Sequence, residues 1–394
     1  MRLETAPPET AGFSGHRLTR IRPVMQSYTD NKQVAGLITL IYRHGHVVHL
    51  EKFGDKNDVS PMEFNTIFRI YSMTKPITSV AIMMLYEEGY FQLDDPISRF
   101  IPEFKDMEVL ESTENNQVKT VPAEREMTIR DLLRHTSGLT YDFSGGPVAK
   151  MYQEADLYNA RSLAEAVKSL AEIPLMYQPG KVWNYGFSTD VLGHLVEVIA
   201  EQTFDSFLQD RIFDPLQMVD TGFDTFPEKT DRCAALYQAT KDGKYDLAKN
   251  SIIAHLDAKA QSRKICSGGG GLFSTMSDYL RFCQMLLNNG ELEGKQLLSR
   301  KTIEMMTCDH LSGNMHPFGQ QGVGFGLGFS VVTNLAQSGI LGSEGTYRWG
   351  GAASTTFWID PKEELIAILM TQLLGNHHPF LSQFRVLTYQ AIVD

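Results

Sequence analysis

The sequence predicts an α+β protein: the two chain ends build one antiparallel β-sheet flanked by helices, and the middle is inserted as a mainly helical lobe. Three observations predict it. Apolar, β-branched runs lie near both ends, at Ala35–Tyr42 and Val47–Leu50, then Gly324–Val332, Gly345–Ala352, Ser354–Ile359 and Leu365–Met370. Between them the apolar residues recur at helical spacing, as in Ala160–Glu172 and Ser188–Gln202. The chain has 394 residues and is 42% hydrophobic, enough for two lobes around sizeable cores. Residues 1–78 and 255–394 are therefore assigned to the sheet lobe and 79–254 to the helical lobe. A site is expected in the cleft between them.

Taken in order, Ser14–Tyr28 carries Leu18, Ile21, Val24 and Met25 on one helical face behind Ser14-Gly15. The two strands that follow form a hairpin around Arg43-His44-Gly45-His46. A metal site from His44, His46 and His49 is a weak reading, because the first two share a strand face and the third points away. Thr66–Tyr71 is extended and runs into a helix through Tyr86. Gly89–Pro96 turns into Ile97–Phe104, and the polar, charged stretch 105–127 reads as an exposed loop. Thr128 caps a short helix that stops at His135-Thr136-Ser137-Gly138-Leu139. Gly145-Gly146-Pro147, Tyr152 and Tyr158 are expected to form a wall or lid of the cleft, and Tyr177-Gln178-Pro179-Gly180 a turn. Ser267-Gly268-Gly269-Gly270-Gly271 precedes the helix Met276–Leu287. It lacks phosphate-loop spacing, so close backbone packing is its expected use. Phe380–Ile392 closes the chain as a helix.

The formal charge is −11, from 36 basic and 47 acidic side chains, and no basic stripe suggests nucleic acid. No leader-like apolar segment opens the sequence, and no apolar run reaches the ~18–20 residues of a membrane span. Cys233, Cys266, Cys283 and Cys308 fit neither a disulfide framework nor a metal motif. The expectation is a cytoplasmic protein without metal or cofactor; oligomeric state is not legible.

The most informative stretch is Arg69-Ile70-Tyr71-Ser72-Met73-Thr74-Lys75-Pro76-Ile77. Pro76 suits a first helical turn. Ser72 and Lys75, three apart, share a helix face with Cβ atoms ~5–6 Å apart. A serine at a helix start, beside free N–H groups and one turn from an amine, meets two needs of acyl transfer: an activated nucleophile and oxyanion donors. An ordinary Ser cap followed by a surface Lys would look the same. Gly-x-Ser-x-Gly and His-Glu-x-x-His are both absent. His135 is the most suggestive histidine for a Ser–His device.

Ser72-Met73-Thr74-Lys75, His135-Thr136-Ser137-Gly138-Leu139, Pro179–Tyr185, Gly268–Thr275 and Trp349-Gly350-Gly351 together resemble, in order and spacing, the serine β-lactamase-like superfamily, with its class C β-lactamase and penicillin-binding-protein fold. The resemblance covers roughly residues 10 to 390 and implies a β-lactamase/transpeptidase-like architecture. Two departures refine it. Tyr185-Gly186-Phe187 lacks the Asn of Tyr-x-Asn, and Trp349-Gly350-Gly351 stands where Lys-Thr-Gly would be. Both resemble the family VIII carboxylesterases. The resemblance implies Ser72 as nucleophile, Lys75 and Tyr185 as the base system, and the backbone N–H groups of Ser72 and Ala352 as oxyanion hole. Tyr141, Trp349, Gly350 and Gly351 would bind substrate. Unperturbed Tyr and Lys titrate near 10, so the pair must act as a unit; the assignment leans to Tyr185 as base with Lys75 protonated. The implied activity is hydrolysis of short to medium carboxylic esters through an acyl-enzyme. A β-lactamase, a D-amino peptide hydrolase, an acyltransferase or a non-catalytic binding protein are the alternatives.

Overall fold

A computed structural model describes residues 3–114, 117–224, 227–248 and 265–394. The expected lobe boundary at 254/255 lies outside the described residues. Eight strands form the main sheet in the order Val323–Phe325, Ser330–Val332, Tyr347–Gly350, Thr356–Asp360, Leu365–Thr371, Gly36–Arg43, His46–Asn57, Ser60–Pro61, with every neighbour antiparallel. The chain ends meet at Gly36–Arg43 and Leu365–Thr371, in register from Leu37↔Thr371 to Arg43↔Leu365.

All eight residues of Gly36–Arg43 are buried because both sheet faces are covered. Side chains alternate along a strand, and here they divide between two cores. Ile38, Leu40, Ile366 and Ile368 join the core that includes Ile77, Val80 and Met276. Leu37, Ile41, Ala367 and Leu369 join the core of the terminal helices Ile21–Asp30 and Phe380–Tyr389. At ~25 cal/mol per Å² of apolar area, this double burial anchors the central strands on both faces. The helix Thr74–Glu87 packs on Ser188–Ala200. No helix among the described residues is long and apolar enough to cross a membrane.

Several expectations shift in detail. The first helix breaks into Gly15–Leu18 and Ile21–Asp30. The stretch 105–127 is not a loop: Glu108–Glu114 and Gln117–Pro122 form an antiparallel ribbon, whose Leu110 N–H donates to the Leu175 carbonyl at 2.9 Å. Within the ribbon Val109 joins the main core and Leu110 packs against it, too few core residues among the described ones for a clean apolar alternation to announce it. Gly324–Val332 is two strands, Val323–Phe325 and Ser330–Val332, with Gly328 at φ +100° between them. A Cβ on Gly328 would lie 2.2 Å from Ser79 Oγ, which presses this turn onto the helix after Ser72. Thr128 caps Ile129–Leu133 in a full capping box with Asp131.

Among the described residues His49 joins no cluster of potential metal ligands; its Nε2 lies 2.8 Å from Thr39 Oγ1 in the sheet. Burial first, and the charge of Arg22 second, push its imidazole down to about 3. Such a group takes up a proton only on unfolding as pH falls below its ordinary value of 6.5. Stability should therefore fall from pH 6.5 toward 3, with His49 contributing up to ~1.4 kcal/mol per pH unit. Urea unfolding of His49→Gln across that range should show a shallower slope than wild type; an unchanged slope would remove this assignment.

Candidate active site

Backbone geometry presents Ser72. The strand Ile67–Arg69 pairs with Phe273–Thr275, and a 3₁₀ turn, Tyr71–Met73, leads into the helix Thr74–Glu87. Tyr71 sits at φ +43°, a left-handed conformation costing a non-glycine residue ~1–3 kcal/mol. Surrounding bonds hold it there: Ile70 N–H donates to Leu272 O at 3.0 Å, and Tyr279 Oη donates to Met73 O at 3.0 Å.

Lys75 is 1% exposed. Its Nζ donates to Gly269 O at 2.6 Å and to Ser72 Oγ at 3.3 Å. The ammonium also lies 4.6 Å from the Tyr185 ring centre and 5.3 Å from that of Tyr141. The glycine run supplies this cradle through its backbone, as expected. Thr78 Oγ1 donates to Gly268 O at 2.8 Å, and Leu272 N–H donates to Thr74 Oγ1 at 3.2 Å, tying run and helix together. A Cβ on Gly269 would lie 2.4 Å from Asp190 Oδ2 and 3.0 Å from Tyr141 Oη.

Asp190 was not singled out by the sequence, where it is one acid in the first turn of Ser188–Ala200. In the fold its Oδ1 accepts from Ser267 Oγ at 2.5 Å and from Gly269 N–H at 3.2 Å. Burial raises its carboxyl above the usual range, against the opposing pull of Lys75. Its partners lie more than seventy positions along the chain, so no local pattern marks it.

Tyr185 is carried by a loop stitched to the His135–Leu139 turn: Asn184 N–H donates to His135 O and Asn184 Nδ2 to Leu139 O, each at 2.8 Å. The Tyr185 hydroxyl is buried without a hydrogen-bond partner among the described residues. It therefore stands next to Lys75 but does not bond Ser72. His135 packs on the Tyr185 ring at 4.9 Å. Burial, reinforced by Lys75, holds its imidazole well below the ordinary value and so neutral. It makes no hydrogen bond to Ser72, and supports Tyr185 from behind.

An open cleft reaches Ser72, lined by Ala352, Tyr141, Phe143, Tyr158 and Gly269 among others. Tyr152 is 1% exposed in the core and forms no wall. No described residue lining the cleft is cationic. The N–H groups of Ser72 and Ala352 have no acceptor among the described residues. Trp349 packs on Tyr185 at 5.5 Å. Gly351 is needed for close approach, but to protein: its Cβ would lie 2.4 Å from Ile70 O. Phe318, 72% exposed, covers Trp183 at 4.8 Å and Tyr185 at 5.8 Å; nothing in its sequence context marks it.

The antiparallel sheet, the helical insertion and the Ser72-x-x-Lys75 helix start define a protein of the serine β-lactamase-like class. The chain belongs to the beta-lactamase family, whose model matches residues 21–391. Protein Rv1367c of Mycobacterium tuberculosis is 36% identical over 366 residues, covering 90% of this chain and 88% of that protein. Lovastatin esterase of Penicillium rubens is 30% identical over 369 residues, covering 87% of this chain and 90% of that protein. The structure of EstCE1, a hydrolase with promiscuous acyltransferase activity, superposes with a TM-score of 0.79 at 25% identity, covering 95% of this chain and 99% of that one. The family is one of serine hydrolases that includes esterases and acyltransferases.

Gly269→Ala should lose ~1–3 kcal/mol of stability in urea, because its Cβ displaces Asp190 and Tyr141. A variant as stable as wild type would show that the cradle is loose.

Proposed function

We propose that the protein is a serine carboxylesterase acting on neutral esters with short to medium acyl chains, through an acyl-enzyme on Ser72. The observation carrying this reading is the hydrogen bond from Lys75 Nζ to Ser72 Oγ at the floor of a cleft without a cationic lining residue. Lys75 Nζ contacts both Gly269 O and Ser72 Oγ, and it is assigned the role of holding its proton while Tyr185 takes that of Ser72. Tyr185 in its phenolate form is assigned as the proton acceptor, with a bridging water or a small ring movement completing the path to Ser72. Lys75 beside it, 4.6 Å from the ring centre, would stabilise the negative phenolate before it takes the proton. Attack of Oγ on the ester carbonyl places the oxyanion at the N–H groups of Ser72 and Ala352. Tyr185 then returns the proton to the leaving alcohol, and water repeats the sequence to release the acid.

The uncharged lining favours neutral esters over substrates whose carboxylate needs a cation, as in β-lactams or D-amino peptides. Transfer of the acyl group to a larger alcohol is the second reading, favoured by the exposed aromatic rims Phe143 and Phe318. The active site is placed in the cleft between a sheet lobe and a helical lobe. A cytoplasmic location is proposed because the four cysteines of the sequence fit no dense disulfide framework.

p-Nitrophenyl butyrate should be hydrolysed, with kcat/KM exceeding that for nitrocefin. Ser72→Ala should lower it by at least about a thousandfold, and Tyr185→Phe by about a hundredfold or more. Wild-type activity in Ser72→Ala would refute the nucleophile, and faster nitrocefin turnover would move the assignment to lactamase.

A further inference from the structure

The sheet face opposite Trp349 holds an arrangement that ester hydrolysis does not use. Cross-strand partners point to the same face, and Arg348 is paired with Ser330 on one side and Trp358 on the other. Trp358 belongs to the core beneath the terminal helices, which places Arg348 and Ser330 on that face as well. From the helix Phe380–Tyr389, Arg385 lays its guanidinium over the Trp358 ring at 4.3 Å.

Two guanidinium groups are thus enclosed together. Arg385 is 9% exposed, and burial, with the like charge of Arg348 adding to it, pushes it down to about 10 against the opposing Tyr389 and Asp360. Burial lowers Arg348 as well. Neither forms an ion pair within 4 Å among the described residues; Arg385 Nη1 donates to the Leu341 carbonyl at 3.1 Å, which satisfies one donor but brings no counter-charge. The carboxylate at hand, Asp360, is already occupied: its Oδ2 accepts from Ser343 N–H at 3.0 Å and from Tyr389 Oη at 2.8 Å. Arg348, Arg385 and Asp360 leave one positive charge in excess.

Donors are also left over. Arg348 Nε and Ser330 Oγ are buried without a partner, although Ser330 is only 3% exposed. Arg348 Nη2 reaches just Gln320 Oε1, at 3.5 Å, the outer limit of a hydrogen bond. An enclosed charge without a counter-ion and donors without acceptors are both costly, and one ligand type relieves both.

We propose that Arg348, Arg385 and Ser330 form a binding site for a small oxyanion, inorganic phosphate or a free carboxylate, on the sheet face opposite the Ser72 cleft. The planar guanidinium fork matches such oxygens bidentately, and the Ser330 hydroxyl supplies a further donor. Arg348, half-buried, provides the entrance beside Gln320.

The test is a set of melting curves of the full chain in sodium phosphate, sodium acetate and sodium chloride at equal ionic strength. Phosphate also stabilises proteins generally by exclusion from their surface, so the deciding quantity is the difference between wild type and variants. Wild type should melt at temperatures rising with the logarithm of phosphate or acetate concentration, beyond the response to chloride. The stronger of the two names the preferred oxyanion. Arg348→Gln and Ser330→Ala should weaken the apparent affinity, Arg348→Gln by about tenfold or more. Should Arg348→Gln fail to fold, the small change Ser330→Ala gives the same readout, and calorimetric titration of wild type with phosphate should give one site per chain. Variants that respond like wild type, or a wild type that responds to both oxyanions as to chloride, would overturn the proposal.

Discussion

A buried ammonium is the constraint on which the rest of the structure depends. Lys75 is enclosed one helical turn after Ser72, and an ion taken from water costs several kcal/mol unless its charge and donors are met. The carbonyl of Gly269, the hydroxyl of Ser72 and two phenol rings meet them, with Asp190 behind the glycine run as counter-charge. Each partner comes from a different part of the chain. Satisfying one cation therefore fixes the strand–turn–helix around Ser72, the glycine run and the Tyr185 loop relative to each other.

The glycines and strained residues follow from that convergence. Gly269 leaves room for Asp190 and Tyr141, Gly351 for the carbonyl of Ile70, and Gly328 for Ser79 on the helix that carries Lys75. Tyr71 and His135, both at positive φ without being glycine, sit beside the groups they present, Ser72 and the Tyr185 loop. Such conformations persist only where the surroundings over-determine them. Here two cores pressing on opposite sheet faces, together with the hydrogen bonds of the glycine run, supply that rigidity.

What the sequence made legible is what local spacing can carry. Ser72 and Lys75 are three apart, Thr128 and Thr275 precede apolar helical runs, and the β-branched runs at the two ends are each strong enough to stand alone. The five ordered motifs brought the superfamily into view, and the relatives bear it out. Asp190, Phe318 and the Arg348–Arg385 pair were not legible, because their meaning lies in partners distant in sequence. The ribbon at 108–122 escaped for another reason: it buries too little to impose an apolar period. The contact of Trp349 with Tyr185 was not legible either, since a motif gives a residue's position along a strand but not what its ring meets.

The central claim is that Lys75 and Tyr185 make Ser72 a nucleophile. It is tested most directly by incubating the protein with an ester-like phosphonate and mapping the labelled peptide by mass spectrometry. The account predicts one phosphonyl group per chain, on Ser72, formed far more slowly when Lys75 is replaced by Ala or Tyr185 by Phe. A label on another residue, or labelling of Ser72 at an undiminished rate in both variants, would contradict it.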